Sequence, residues 1–211
     1  MTTPAIRLTN CDVEACADTI RLALHIGGVA FDDARVPGDD AAALKRGTLF
    51  GGLPVMTIDG VEYGRTNALL RYAAAIGEME PAAPIDRLNV DQVVEAVNDV
   101  VAALVPSLCE QDLAAKLALR KALVKTTLPP LLTGIERVLE RNDATTTGYT
   151  CGSAITIADL SLWSQVLWFR SGMLDGIPSD FIDAYPAICR VVATVSGHPQ
   201  VVEWFKRHPQ Q

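Results

Sequence analysis

Thr9, Asn10 and Cys11 follow one another at the end of the first apolar stretch, and together they offer a hydroxyl, an amide and a thiol. Thr9 and Asn10 can donate a hydrogen bond to a nucleophile held nearby, and Cys11 is itself a nucleophile once deprotonated. Each also has a plain structural role: Thr9 as a strand residue, Asn10 as a turn former, Cys11 as a small buried apolar group. The carboxylates of Asp12 and Glu14 stand just beyond and disfavour a thiolate at Cys11.

Elsewhere, thiol and imidazole chemistry is thinly spread. The five cysteines, Cys11, Cys16, Cys109, Cys151 and Cys189, stand singly without Cys-x-x-Cys spacing, and none of the three histidines lies near another in a ligand pattern. Neither a structural metal nor a disulfide framework is expected. A formal charge of −7 would repel a phosphate backbone, so no nucleic acid partner is expected. No apolar run approaches the roughly 18 residues of a membrane span. The N-terminus, Met-Thr-Thr-Pro-Ala-Ile-Arg, lacks the basic-then-apolar order of a signal peptide. No membrane association is expected, and the expected location is cytoplasmic.

The elements that must hold these groups are marked by periodicity. Ile6 to Thr9 reads as a short strand, and Cys16 to Ile26 as a helix with Ala17, Ile20 and Leu24 on one face before Gly27-Gly28 stops it. Val29 to Val36 is a second strand, Asp39 to Arg46 a short helix, and Leu53 to Ile58 a third strand. Asp59-Gly60 then supplies the positive φ of a tight hairpin into Val61-Glu62-Tyr63. Thr66, a suitable N-cap, opens a helix to Ile76 with Leu69, Leu70 and Ala73 as its stripe. The order is β-α-β-α-β-β-α.

Gly77, Pro81 and Pro84 break this pattern, and a domain boundary is expected near residues 78 to 84. Beyond it, valines and leucines from Ile85 to Val105 recur at three and four residues, predicting a long helix ended near Pro106. Leu113 to Arg141 predicts a second, kinked or restarted at Pro129-Pro130. Thr156 to Ser171, Tyr185 to Ser196 and Pro199 to Lys206 predict three more, with Trp163 and Trp168 in the core. Within Ile155-Thr156-Ile157-Ala158-Asp159-Leu160, Thr156 and Asp159 have capping-box spacing, and Ile155 and Leu160 the spacing of a hydrophobic staple.

Leu53-Pro54-Val55-Met56-Thr57-Ile58-Asp59-Gly60, followed by Thr66-Asn67-Ala68-Leu69-Leu70-Arg71-Tyr72, closely resembles the pattern of glutathione transferases of the sigma, pi and related classes. The resemblance covers nearly the whole chain, and the capping-box segment matches the family as well. It implies a thioredoxin-like α/β domain with a mixed four-stranded sheet over residues 1–78, then an all-α helical domain over 85–211. In that family the proline is cis, so that the next residue presents its N–H and C=O to the cysteinyl part of glutathione. Leu53, Pro54 and Val55 take that place here. Lys45 matches the lysine that pairs with the glycyl carboxylate. Arg65-Thr66 stands where the family has glutamine-serine or acid-serine, the pair that receives the γ-glutamyl carboxylate at a helix N-terminus. Gly52 replaces a common glutamine. Val94-Glu95-Ala96-Val97-Asn98-Asp99 resembles the pi-class segment whose aspartate crosses a dimer interface to the ligand's amino group, which assigns that role to Asp99.

The resemblance departs from the family at its chemical centre. Counting back from Thr19-Ile20-Arg21-Leu22 places Asn10 where sigma and pi members have the tyrosine that steadies the glutathione thiolate, and Cys16 where they have an arginine. Asn10, Thr9 and Cys11 are the candidate replacements. The implied function is conjugation of reduced glutathione, a co-substrate, to small apolar electrophiles by a cytosolic homodimer without metal or other cofactor. The segment from Val105 to Cys109 and the region of Trp204 are the candidate lining of the electrophile pocket. Slow conjugation is expected, because an amide polarises sulfur less than a phenol. A glutathione-binding scaffold without useful chemistry and a Cys11-dependent thiol transferase or isomerase are the alternatives.

Overall fold

In the computed structural model, which describes residues 4–11 and 17–208, the strands β1 (Ile6–Cys11), β2 (Asp32–Val36), β3 (Val55–Ile58) and β4 (Val61–Gly64) form one sheet ordered β2-β1-β3-β4. β1 runs parallel to β2 and antiparallel to β3, and β4 is antiparallel to β3, so the sheet is mixed as expected. Along the central strand β1, Ile6, Leu8 and Asn10 are buried while Arg7, Thr9 and Cys11 are wholly or partly accessible, the period-two alternation of a pleated strand. Asp59 and Gly60 have φ of 49° and 86°, the conformation anticipated for this hairpin.

Two helices complete the scaffold of this unit. α1 (Ala17–Ile26) buries Ala17, Ile20 and Leu24, and α3 (Thr66–Ile76) buries Leu69, Leu70 and Ala73. They pack on each other and come closest at their ends, where a Cβ on Gly27 would lie 2.4 Å from the Cα of Gly77. Arg21, fully buried in α1, is paired with Asp18 at 2.9 Å and Asp33 at 2.8 Å, which offsets the cost of burying its charge. α2 (Ala41–Gly47) follows a short 3-10 turn over Gly38–Asp40, and β2 starts at Asp32 rather than Val29. Cys16, expected to open α1, lies outside the described residues.

Thr66 is not the N-cap of α3. Arg65 occupies that position without a side-chain capping bond, and Thr66 is the first helical residue.

The second unit contains α4 (Pro84–Cys109), α5 (Leu113–Ala122), α6 (Leu128–Arg141), α7 (Ala144–Thr147), α8 (Ile157–Arg170) and α9 (Pro186–Ser196). α4 packs against α6 and α8 through Val93, Val97, Val100 and Leu104. It is long and apolar enough to cross a membrane by length and composition, contrary to the expectation that no run approaches that length. Its buried positions are occupied in packing within the helical unit. The helix runs three residues past Pro106, although that proline withholds the N–H that would bond the Ala102 carbonyl; in the same turn Ser107 donates to the Leu104 carbonyl at 2.8 Å. The break between α5 and α6 is a wide π-type turn over Leu123–Thr127, upstream of Pro129-Pro130, which sit in the first turn of α6, where a missing N–H costs little.

Asp159 is fully buried at the start of α8 and accepts N–H bonds from Thr156 at 2.7 Å and Thr150 at 2.6 Å, together with the Thr156 hydroxyl at 2.8 Å. The capping box is thereby formed as the spacing predicts. Trp163 is buried and donates to Ser196, but Trp168 is only half-buried.

The chain divides into Met1–Glu80 with His198–Gln211, and Pro81–Gly197. α10 (Pro199–Arg207) therefore groups with the first unit, whereas the division at 85–211 had assigned it to the helical domain. The reason is side-chain packing: α10 lies on α1, its Trp204 ring meets His25, Phe31 and His208, and Gln200 donates to the Ile26 carbonyl at 3.1 Å.

Candidate functional site

The sheet register gathers the candidate residues of the first unit. Thr9 pairs with Val55 in the β1–β3 ladder, and Val55 pairs with Gly64 in the β3–β4 ladder. Continued by one residue, the same antiparallel register sets Asn10 level with Pro54 and leads from Gly64 into Arg65 and Thr66. The Leu53–Pro54 peptide is cis, as the resemblance implies. The end of β1, the start of β3 and the start of α3 thus meet along one edge of the sheet.

Thr9, Asn10 and Cys11 are not equivalent there. Asn10 is buried on the side of Ile6 and Leu8, and its amide donates to the Cys11 carbonyl at 3.3 Å, a long and weak bond. Thr9 and Cys11 occupy the opposite face and are partly accessible. A ligand sulfur on one face of β1 meets either the amide, or the hydroxyl and the thiol.

Lys45 is exposed in the last turn of α2. Thr48 ties that turn to the segment before Pro54: its hydroxyl lies 2.9 Å from the Lys45 carbonyl, 3.2 Å from the Gly52 carbonyl, and accepts the Gly52 N–H at 3.0 Å. The carboxylate of Glu62 accepts the Leu49 N–H at 2.7 Å and fastens the same loop to β4. Between these anchors Phe50 presents its ring to the Arg65 guanidinium, whose Cζ lies 5.0 Å from the ring centroid. Thr48, Phe50 and Glu62 carry no motif that singled them out. The roles of Phe50 and Glu62 come from a loop closing on β4, which local spacing does not encode, while Thr48 acts within four residues of itself.

Arg65 has φ 75° and ψ 109°, a sparsely populated conformation for a residue with a Cβ. Such a backbone costs about 1–3 kcal/mol and persists where the surroundings impose it, often at a ligand site. Thr66 follows, half-buried, and the first-turn amides of α3 are oriented for an anion.

Asp99 is exposed on α4 in the second unit and is not among the residues gathered at the sheet edge. Val105 and Leu108 are exposed near the end of α4, and Trp204 is buried within the first unit. Burial pushes the thiols of Cys151 and Cys189 up, so neither is a ready thiolate at neutral pH, even though Arg170 approaches Cys189 at 3.4 Å. Among the described residues, no group of three or more His, Cys, Asp or Glu side chains could hold a metal ion.

Residues 98–208 match the family model for the glutathione S-transferase C-terminal domain. The chain belongs to the glutathione S-transferase family. Family relatives align along almost its whole length: glutathione S-transferase 1 of Ascaris suum is 26% identical over 215 residues, covering 98% of each chain. The human hematopoietic prostaglandin D synthase is 22% identical, again over 98% of each. The structure of prostaglandin synthase D of Nilaparvata lugens superposes with a TM-score of 0.86 at 23% identity, covering 98% of this chain and 99% of that one. The fold of the family, a thioredoxin-like domain followed by a helical domain, is the fold of this chain.

Proposed function

We propose that this protein acts as a glutathione transferase, adding the thiolate of reduced glutathione to small apolar electrophiles. The observation that carries the reading is the register joining Thr9, Val55 and Gly64, because it brings the end of β1, the start of β3 and the chain leading into α3 to one edge. Val55, held by Leu53 and Pro54, offers its backbone to the cysteinyl residue. Lys45 pairs with the glycyl carboxylate, and Arg65, Thr66 and the first amides of α3 receive the γ-glutamyl carboxylate. In a homodimer, Asp99 of a second protomer takes the ligand's amino group.

The chemistry asked of this chain is modest. The thiol proton leaves to solvent, a donor from β1 hydrogen-bonds the thiolate, and the sulfur attacks the electrophilic carbon as the leaving group departs with its electron pair. Asn10 is the first candidate donor, Thr9 the second, and Cys11 the third. Because an amide is a weaker partner for a thiolate than a phenol, conjugation is slow. The same substitution favours the second reading, a glutathione-binding scaffold with little turnover.

The test is isothermal titration with glutathione beside conjugation of an aryl halide, on wild type, Asn10→Ala, Thr9→Val and Cys11→Ser. Binding with turnover lost in Asn10→Ala supports the enzyme with Asn10 as donor. Loss in Thr9→Val moves the role to the other face of β1. Binding without turnover in wild type supports the scaffold, and activity that vanishes only in Cys11→Ser supports a thiol transferase or isomerase. Absence of glutathione binding overturns the site.

A further inference from the structure

Phe50 is a large aromatic residue left 54% exposed in the loop between α2 and β3, yet it is not loose. Its ring closes on β4 so tightly that a Cβ on Gly64 would lie 3.0 Å from its Cδ2, and it also meets the guanidinium of the next residue, Arg65. The loop that carries it is held from both sides, by the Thr48 hydroxyl on Gly52 and by Glu62 on the Leu49 N–H. Glu62 is the nearest carboxylate in sequence, and it accepts the Leu49 N–H of the loop. Among the described residues Arg65 has no ion pair, and its guanidinium lies over the Phe50 ring, 5.0 Å from the centroid. A stacked, unpaired guanidinium is a preoriented fork for a carboxylate and a repulsive neighbour for an ammonium.

We infer that Arg65, positioned by Phe50, sets the charge selectivity of the thiol-peptide site, so that the site demands a carboxylate at the γ-glutamyl end of its ligand and gains little from the ammonium beside it. This rests on the glutathione reading above and goes beyond it by naming the ligand chemistry that this chain prefers. Arg65 is the contacting residue and Phe50 a positioning residue. The Arg65 charge opposes any pull on the ammonium from a carboxylate such as Asp99.

Three ligands separate the contributions: glutathione, its analogue lacking the α-amino group (glutaryl-cysteinyl-glycine), and its analogue with the γ-glutamyl α-carboxylate converted to an amide. Affinities are measured by titration calorimetry on the full chain, with circular dichroism confirming that each variant is folded. In wild type, loss of the carboxylate is expected to weaken binding at least about tenfold, as for a charge-assisted bond, and loss of the amino group less than about twofold. In Arg65→Gln the carboxylate effect should shrink to about threefold or less, while loss of the amino group becomes the costlier change. Phe50→Leu should follow Arg65→Gln in part, and Phe50→Tyr, which keeps the ring face, should restore the wild-type pattern. If the amino group matters more than the carboxylate in wild type, or if Arg65→Gln leaves the ratios unchanged, the inference falls while the glutathione reading stands. If none of the three ligands binds wild type, both fall.

Discussion

Thr9 faces Val55 across the β1–β3 ladder as its last pair, so Asn10 follows on β1 where Pro54 leads into β3. The strand alternation then turns the Asn10 amide away from the Thr9 hydroxyl and the Cys11 thiol. If the amide supports the thiolate, Asn10→Ala removes one hydrogen bond to a charged atom, worth about 1.5–3 kcal/mol. The expected result is a fall in kcat/KM of roughly ten- to a hundredfold, with Kd for glutathione changed little. Unchanged kcat/KM would remove Asn10 from the chemistry.

Asp159 supplies a pH dependence whose sign follows from its burial. Desolvation pushes its carboxyl up from an ordinary 3.8 to about 6, against the opposing effect of the Thr150 and Thr156 donors. A folded-state value above the unfolded one means that its stabilising contribution is complete below about pH 4 and is lost as pH rises through about 6, a span of about 3 kcal/mol. In urea titrations, the stability of wild type minus that of Asp159→Asn should therefore decline from pH 4 to pH 7. A difference that grows with pH would show the carboxylate to be favoured as the ion.

Glu136 of α6 is buried and accepts the N–H groups of Ala187 at 2.7 Å and Ile188 at 3.0 Å, capping α9 from a distant helix. Glu136→Ala leaves two first-turn amides of α9 without that acceptor, so a loss of about 2–3 kcal/mol is expected. Thermal unfolding should report it as a fall in Tm of roughly 4–12 °C, given about 2–4 °C per kcal/mol for a chain of this size. A fall of less than about 1 °C would mean that water replaces the carboxylate freely.

Gly27 and Gly134 should respond oppositely to alanine. At Gly27 the new methyl would meet the Gly77 backbone at 2.4 Å, and Gly27→Ala is expected to cost about 1–3 kcal/mol as α1 and α3 are forced apart. Gly134 is exposed in α6 with open space around it, so Gly134→Ala should stabilise the fold by about 0.5–1 kcal/mol. Chemical denaturation of the two variants side by side tests both, and a neutral Gly27→Ala would contradict the tight helix crossing.

Several elements were legible because their determinants are neighbours in sequence. Asp59 and Gly60 supply the backbone angles of their own turn, and Thr156 and Asp159 close a capping box across three residues. Where the deciding partner lies elsewhere, local reading missed. A threonine before an apolar stripe looks like an N-cap, but the chain leaving Gly64 enters α3 through Arg65 in a left-handed conformation. Trp204 reads as a pocket residue until α10 is seen packed on α1. Pro129-Pro130 read as a break, yet they sit in the first turn of α6, where a missing N–H is tolerated, and α4 runs on past Pro106 to Cys109.

The sequence by itself determined the order of the main elements, the hairpin and the capping box, since these rest on short-range spacing of apolar, turn and capping residues, and the resemblance of its motifs pointed to the family. Which face of β1 carries the amide and which the hydroxyl and thiol follows from strand alternation once the strand's length is known. Only the tertiary structure decided that the loop after Lys45 is fastened to β4 through Glu62, that Phe50 supports Arg65, and that α10 belongs with α1. Those arrangements depend on contacts between segments distant in the chain, whose energies arise when backbone and side chains from different elements close on one another and have no trace in the periodicity of either.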